Sequence, residues 1–169
     1  RYITSGAMDG SVRLWDPATG DEIKGLLEHS IPITVVAWSA NGLLASGSRD
    51  TLICLWNVET DRPLRTLIGH SRAISTLAWS PDESMLASGA EDRTVRIWDV
   101  RTGEQLAILA SHPRTVRCIA WSPDGEVLAS ADDNGQINLW DTHLAKPIRM
   151  IDAHSGSVLC LAWSPTQPN

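Results

Sequence analysis

Apolar and polar positions alternate along this chain in short runs that come back at a fixed interval. Residues 43–57 read LLASGSRDTLICLWN and residues 85–99 read MLASGAEDRTVRIWD. Each stretch is two β-forming runs around a polar turn that contains Asp50 or Asp92, which predicts a hairpin. Apolar residues stand three and one positions ahead of a tryptophan in every copy: Val12 and Leu14, Ile53 and Leu55, Val95 and Ile97, Ile137 and Leu139. Between them lies Arg13, Cys54, Arg96 or Asn138. That period of two predicts strands. Upstream, residues 33–39, 74–80, 116–122 and 158–164 form a further run, each ending Ala-Trp-Ser. Turns such as Ala40-Asn41-Gly42, Pro81-Asp82-Glu83 and Pro123-Asp124-Gly125 follow it. A fourth run carries Ile23 and Leu26, Leu64 and Leu67, Leu106 and Leu109, Ile148 and Ile151. No helical period is present.

The interval is set by the tryptophans. Trp15, Trp56, Trp98 and Trp140 are spaced 41, 42 and 42 residues apart, and so are Trp38, Trp79, Trp121 and Trp163. His29, His70, His112 and His154 keep the same spacing, as do Ser5, Ser46, Ser88 and Ser130. Several residue types in one register mean a repeat architecture. Four antiparallel strands in each repeat of about this length predict one β-propeller blade per repeat, an all-β fold.

These residues resemble the WD-repeat β-propeller family along the whole chain. Trp15-Asp16, Trp98-Asp99 and Trp140-Asp141 match the dipeptide that names it, and Gly69-His70 its opening dipeptide. In that family a His, a strand Ser, a turn Asp and a strand Trp form a hydrogen-bonded tetrad that braces each blade. By position, the resemblance implies the tetrads His29, Ser46, Asp50, Trp56 and His70, Ser88, Asp92, Trp98. A third set is His112, Ser130, Asn134 and Trp140, in which Asn134 stands where the family has Asp, with Asp133 beside it. An asparagine accepts without the charge assistance of a carboxylate. Other departures are Glu28, Ser111 and Ala153 for the Gly before His, and Asn57 for the Asp after Trp56.

The resemblance divides residues 1–169 into a partial blade (1–28), three whole blades (29–69, 70–111 and 112–153) and the innermost strand of another (154–169). That is sixteen strands, or about four blades. Rings of this family usually close with seven or eight, so the expectation is part of a longer propeller. A four-repeat chain pairing with a second copy into an eight-bladed ring is the alternative. An open arc exposes blade faces that a ring would bury, so self-association through those edges is expected.

Composition then narrows the chemistry. No run approaches the ~18 apolar residues of a spanning helix, and no membrane is expected as a partner. A net charge of −6 argues against nucleic acid as the main partner. Three cysteines (Cys54, Cys118, Cys160) without CxxC spacing exclude a disulfide framework or zinc site and fit a reducing, cytoplasmic compartment. Cys118 and Cys160 stand at equivalent innermost-strand positions, where core packing is expected. Ser, His and Asp in register resemble a nucleophile system, but a catalytic triad occurs once and this set recurs. The expectation is no enzyme activity, cofactor or metal. His143, the one His out of register, is expected in a solvated turn.

On a fixed frame, function belongs to positions that vary. Five residues after each His the innermost strand begins at Thr34, Ser75, Arg117 or Leu159; just before the turn acid stand Met8, Arg49, Glu91 and Asp133. In the family these two sets ring the top-face opening, with Arg72 and Arg114 in adjoining loops. The expected function is a non-catalytic interaction scaffold that binds proteins or peptides there through Arg anchors. The alternative is a sensory or regulatory propeller module of a larger multidomain signalling enzyme.

Overall fold

The computed structural model describes residues 1–60, 62–110 and 112–165. Among them lie fifteen strands and no helix, so no helix is long and apolar enough to cross a membrane. The first sheet has three strands: β1 (Ile3–Gly6), β2 (Val12–Trp15) and β3 (Glu22–Leu26). The second holds β4 (Ile33–Trp38), β5 (Leu43–Ser48), β6 (Ile53–Asn57) and β7 (Arg65–Leu67). The third holds β8 (Ile74–Trp79), β9 (Met85–Ala90), β10 (Thr94–Asp99) and β11 (Gln105–Ala110). The fourth holds β12 (Val116–Trp121), β13 (Val127–Asp132), β14 (Gln136–Asp141) and β15 (Lys146–Asp152). Every sheet is an antiparallel meander in chain order.

Residues 158–164 depart from the expectation: they carry the sequence of β4, β8 and β12 but form no strand. Strand formation needs a ladder partner as well as a suitable sequence, and sheet four already has its inner strand in β12. The segment still packs where another blade would begin. The Val158 N–H donates to the Asp132 carbonyl at 3.1 Å, and Val158 is buried with Cys118 and Ala131.

The core is a series of layers between neighbouring sheets. Val12, Leu14 and Leu26 pack on Ile33, Leu44 and Trp56. Ile53, Leu55 and Leu67 pack on Ile74, Leu77 and Leu86. Val95, Ile97 and Leu109 pack on Val116, Ile119 and Leu128. Each fully buried aliphatic chain contributes about 1.5–3 kcal/mol.

Two repeated contacts hold the inner strands together. The second tryptophan series reaches back one sheet: Trp79 Nε1 donates to the Ala37 carbonyl at 3.1 Å, Trp121 to Ala78 at 3.0 Å and Trp163 to Ala120 at 2.9 Å. Trp38, with no such strand before it, donates to Thr4 Oγ1 at 2.9 Å. A side-chain knob also enters a glycine hole. A Cβ on Gly47 would lie 2.6 Å from Ile74 Cγ2, and one on Gly89 2.6 Å from Val116 Cγ1. The corresponding residue of sheet four is Ala131, which faces Val158 in a segment not held by a ladder.

A β-branched knob has little rotamer freedom to yield. Gly47→Ala is therefore expected to lower stability by about 1–3 kcal/mol through overpacking, read from the urea midpoint of unfolding.

Candidate partner-binding face

The loops at one end of the sheets are fixed by buried polar relays. In the second sheet the Trp56 indole N–H donates to Ser46 Oγ at 2.9 Å, His29 Nε2 lies 2.9 Å from that oxygen, and His29 Nδ1 lies 2.8 Å from Asp50 Oδ2. The third sheet repeats this with Trp98, Ser88, His70 and Asp92 at 2.8, 2.7 and 2.8 Å. A carboxylate can only accept, so Nδ1 carries the imidazole proton and the serine hydroxyl donates to Nε2. The other carboxylate oxygen holds the turn: Asp50 Oδ1 accepts the Leu52 N–H at 3.0 Å, and Asp92 Oδ1 the Thr94 N–H at 3.0 Å. Burial pushes the Asp92 carboxyl up, but hydrogen bonds from His70 and Thr94 outweigh it and the net shift is well below the ordinary value.

Sheet four corrects the expected assignment of Asn134. Trp140 donates to Ser130 at 2.7 Å and His112 Nε2 lies 2.6 Å from the same hydroxyl, but His112 Nδ1 meets Asp132 Oδ2 at 3.1 Å. Asp132, at the end of β13, is 0 % exposed; Asn134 is exposed and donates its backbone N–H to Asp132 Oδ1 at 2.9 Å. The carboxylate comes from two residues earlier yet meets equivalent partners. Its Oδ1 also accepts the N–H of Gln136, the counterpart of Leu52 and Thr94, at 3.1 Å. Asp133 does not take the place either, because it points to Arg117. Ser111, the residue before His112, lies outside the described residues.

The rim residues owe their position to a backbone irregularity invisible in the apolar pattern. β4 shifts register between Ile33 and Val35, β8 between Ile74 and Thr76, and β12 between Val116 and Cys118. The residue left unpaired is Thr34, Ser75 or Arg117. Such bulges re-aim a side chain out of the ladder. Two of the three are then spent on the backbone: Thr34 Oγ1 donates to the Gly47 carbonyl at 2.9 Å, and Ser75 Oγ to Gly89 at 2.9 Å and to Val116.

Arg117 and Asp133 occupy each other. Arg117 Nε and Nη2 bind the two carboxylate oxygens at 2.6 and 2.9 Å, and the Ser157 hydroxyl adds a third bond to Asp133 at 2.8 Å. Asp133 is lowered chiefly by the Arg117 bonds, and Arg117 is raised chiefly by Asp133, with Glu91 adding to it. Arg49 and Glu91 are exposed, with their backbones pinned to Pro32 and Ala73 at 3.0 and 2.9 Å. No described residue bonds the Arg49 guanidinium. Met8 is 75 % and Leu159 78 % exposed.

The cysteines divide. Burial pushes the Cys54 thiol up to about 12 and Cys118 up to about 11, so neither ionises near neutral pH. Cys160 departs from its expected core role: it is exposed, because its segment lacks a covering neighbour. His143 is exposed in its turn, 3.7 Å from Glu126.

Two predictions follow from the relays. Asp132→Ala leaves the buried His112 N–H without an acceptor and is expected to cost about 1–3 kcal/mol; Asn134→Ala is expected to stay within about 0.5 kcal/mol. Urea midpoints distinguish them, and the reverse order would restore the expected assignment. The second concerns pH. Burial lowers the His112 pKa, with Asp132 opposing. The unfolded imidazole therefore binds its proton more readily than the folded one. Stability from this group is full above about pH 6.5 and declines on acidification until the folded imidazole titrates. Midpoints measured at pH 8, 6.5 and 5.5 should fall in that order, and less steeply in His112→Gln.

Comparison with known proteins agrees with this architecture. A family model described as the IFT122 first beta-propeller matches residues 1–169. A chain in the crystal structure of a mitotic checkpoint complex superposes with a TM-score of 0.92 at 29 % identity, over 97 % of this chain and 51 % of that one. The present chain thus spans about half the length of that relative. With its tetrads, tryptophan series and four-stranded sheets, the chain belongs to the IFT122 first beta-propeller family, a family of WD-repeat propellers.

Proposed function

We propose that this propeller segment, of a kind used in protein interactions, is a non-catalytic scaffold that binds a peptide or protein across the face carrying the relays. The observation that carries the reading is the contrast between frame and rim. Ser46, Ser88 and Ser130 are all 0 % exposed, and each hydroxyl already serves a tryptophan and a histidine. A nucleophile needs access to substrate, and these have none. On the same face, Arg49 and Met8 stand exposed on turns whose backbones are pinned. An exposed guanidinium and an exposed apolar side chain on rigid supports suit a binding hot spot. Arg117 is a weaker anchor than sequence alone suggests, because its donors are engaged by Asp133.

The test begins with peptides selected from a random library on the immobilised chain. Arg49→Ala and Met8→Asp are expected to weaken the selected peptides about tenfold or more, measured by fluorescence anisotropy. Arg101→Ala, on the opposite face, should leave the affinity unchanged. Equal affinity for all three variants would remove the face from consideration.

A further inference from the structure

The turn between β4 and β5 carries a reactive pair that the matching turns of the third and fourth sheets lack. Residues 39–43 read Ser-Ala-Asn-Gly-Leu, whereas the counterparts of Asn41 are Asp82 and Asp124. We propose that Asn41-Gly42 is a self-modification site: the folded chain converts Asn41 through a succinimide into aspartate and isoaspartate. The conversion adds a negative charge at the junction between the second and third sheets.

The reaction needs only base and water. The Gly42 nitrogen, its proton removed, attacks Asn41 Cγ. The new C–N bond closes a five-membered ring, the Cγ–Nδ2 bond breaks, and Nδ2 leaves as ammonia. Water then opens the ring at either carbonyl. Addition at Cγ restores the backbone and leaves aspartate. Addition at the Asn41 main-chain carbonyl leaves isoaspartate, in which the backbone runs through the former side chain and is one methylene longer. Glycine permits the step because no Cβ shields its nitrogen, and asparagine is a thermolabile residue.

The structure leaves this pair free to react. Asn41 and Gly42 are both exposed, and no atom lies within 4 Å of the place a Gly42 Cβ would take. The Gly42 N–H reaches the Ser39 carbonyl only at 3.3 Å, beyond the usual range of such bonds. The Asn41 side-chain amide is tied to no described residue, and Asn41 lines an open cavity of about 560 Å³ between the second and third sheets. The other Asn-Gly pair of the chain, Asn134-Gly135, is closed. Gly135 is buried, and a Cβ there would collide with the His154 carbonyl. The Gly135 carbonyl also accepts the N–H groups of Ala153 and His154 at 3.0 and 3.1 Å. Ring closure at that turn would have to break these contacts.

The aspartate product has a place in the turn. Asp82 Oδ1 accepts the Ser80 hydroxyl at 2.6 Å, and Asp124 Oδ1 the Ser122 hydroxyl at 2.5 Å. Ser39 is the counterpart of those serines. Its oxygen accepts the Leu43 N–H at 3.0 Å, as theirs accept Met85 and Val127, but its proton has no acceptor among the described residues. An aspartate at position 41 supplies one. From the third sheet the turn is held by Glu83, which takes a left-handed backbone, φ 60°, where Gly42 and Gly125 stand in the neighbouring sheets. The Glu83 carboxylate accepts the N–H groups of Ala40 and Asn41, the latter at 3.0 Å. This clasp restrains the turn and slows the reaction, and the reaction in turn opens the clasp. Aspartate brings a second carboxylate beside Glu83, and isoaspartate lengthens the chain that Glu83 holds.

The 169-residue chain, kept for about a week at 37 °C and pH 8, is mapped by mass spectrometry of its tryptic peptides. The peptide holding Asn41 should gain one mass unit and accept methyl groups from a protein isoaspartate methyltransferase, with conversion at Asn134 slower by about tenfold or more. In guanidinium chloride, where no fold protects either pair, the two should convert at similar rates. Glu83→Gly should raise the native rate at Asn41 about threefold by releasing the turn, and Asn41→Gln should abolish it. A native chain unmodified at Asn41 while the denatured chain converts, equal native rates at the two pairs, or a rate unmoved by Glu83→Gly would each overturn the proposal.

Discussion

A buried serine oxygen in each of the second, third and fourth sheets holds the rest in place. It accepts from an indole on one neighbouring strand and donates to an imidazole in a loop, and the imidazole passes the constraint to a carboxylate that ties down a turn. Four residues from four places along a repeat meet only when the strands are in one register. A slip by one residue would send the serine to the opposite face of its sheet. Left unpaired at zero exposure, the serine hydroxyl would carry a desolvation cost of about 1–3 kcal/mol, so the alternatives to this register are poor. The relay makes the turn rigid, and the rigid turn is what presents Arg49 and Glu91.

Much of this arrangement was legible in the sequence because it rests on identity at fixed intervals. Trp56, His29 and Ser46 take part in one relay at the spacing that first distinguished them. The carboxylate of sheet four was not legible. A spacing rule tracks positions along the chain, whereas the imidazole responds to where an oxygen lies in space, and Asp132 supplies that oxygen from the strand end instead of from the turn. The burial of Cys118 beside the exposure of Cys160 escaped for another reason: a strand pattern states what a segment would do given a partner, not whether one is present. The bulges at Thr34, Ser75 and Arg117 leave no mark on the alternation of apolar residues, since the residue displaced is a polar one without a ladder partner.

Cohesion along the arc is local. The second sheet touches the third, and the third the fourth, through a clasp from tryptophan to carbonyl and through a knob entering a glycine hole, and the set is repeated rather than shared. Stability in such arrays is close to a sum of units and nearest-neighbour junctions. Sheet four departs most from the pattern, with Ala131 for glycine, Asp132 in its relay and a buried Gln136 and Asn138 bonded at 2.8 Å. Leu52 and Cys54 hold those two positions in the second sheet and Thr94 and Arg96 in the third; in the fourth the polar pair is buried and bonded to itself.

The bulge in each inner strand has a consequence for how such a surface changes over time. A residue inside a ladder is judged by its cross-strand neighbours, its propensity and its packing. The displaced residue has no ladder partner, so threonine, serine and arginine occupy it in successive sheets of one chain, each with a different hydrogen-bond partner. Each of the three complete sheets therefore carries one position whose residue type changes from sheet to sheet while the ladder around it stays the same. Single substitutions there alter the surface chemistry of the sheet end while the ladder is left alone.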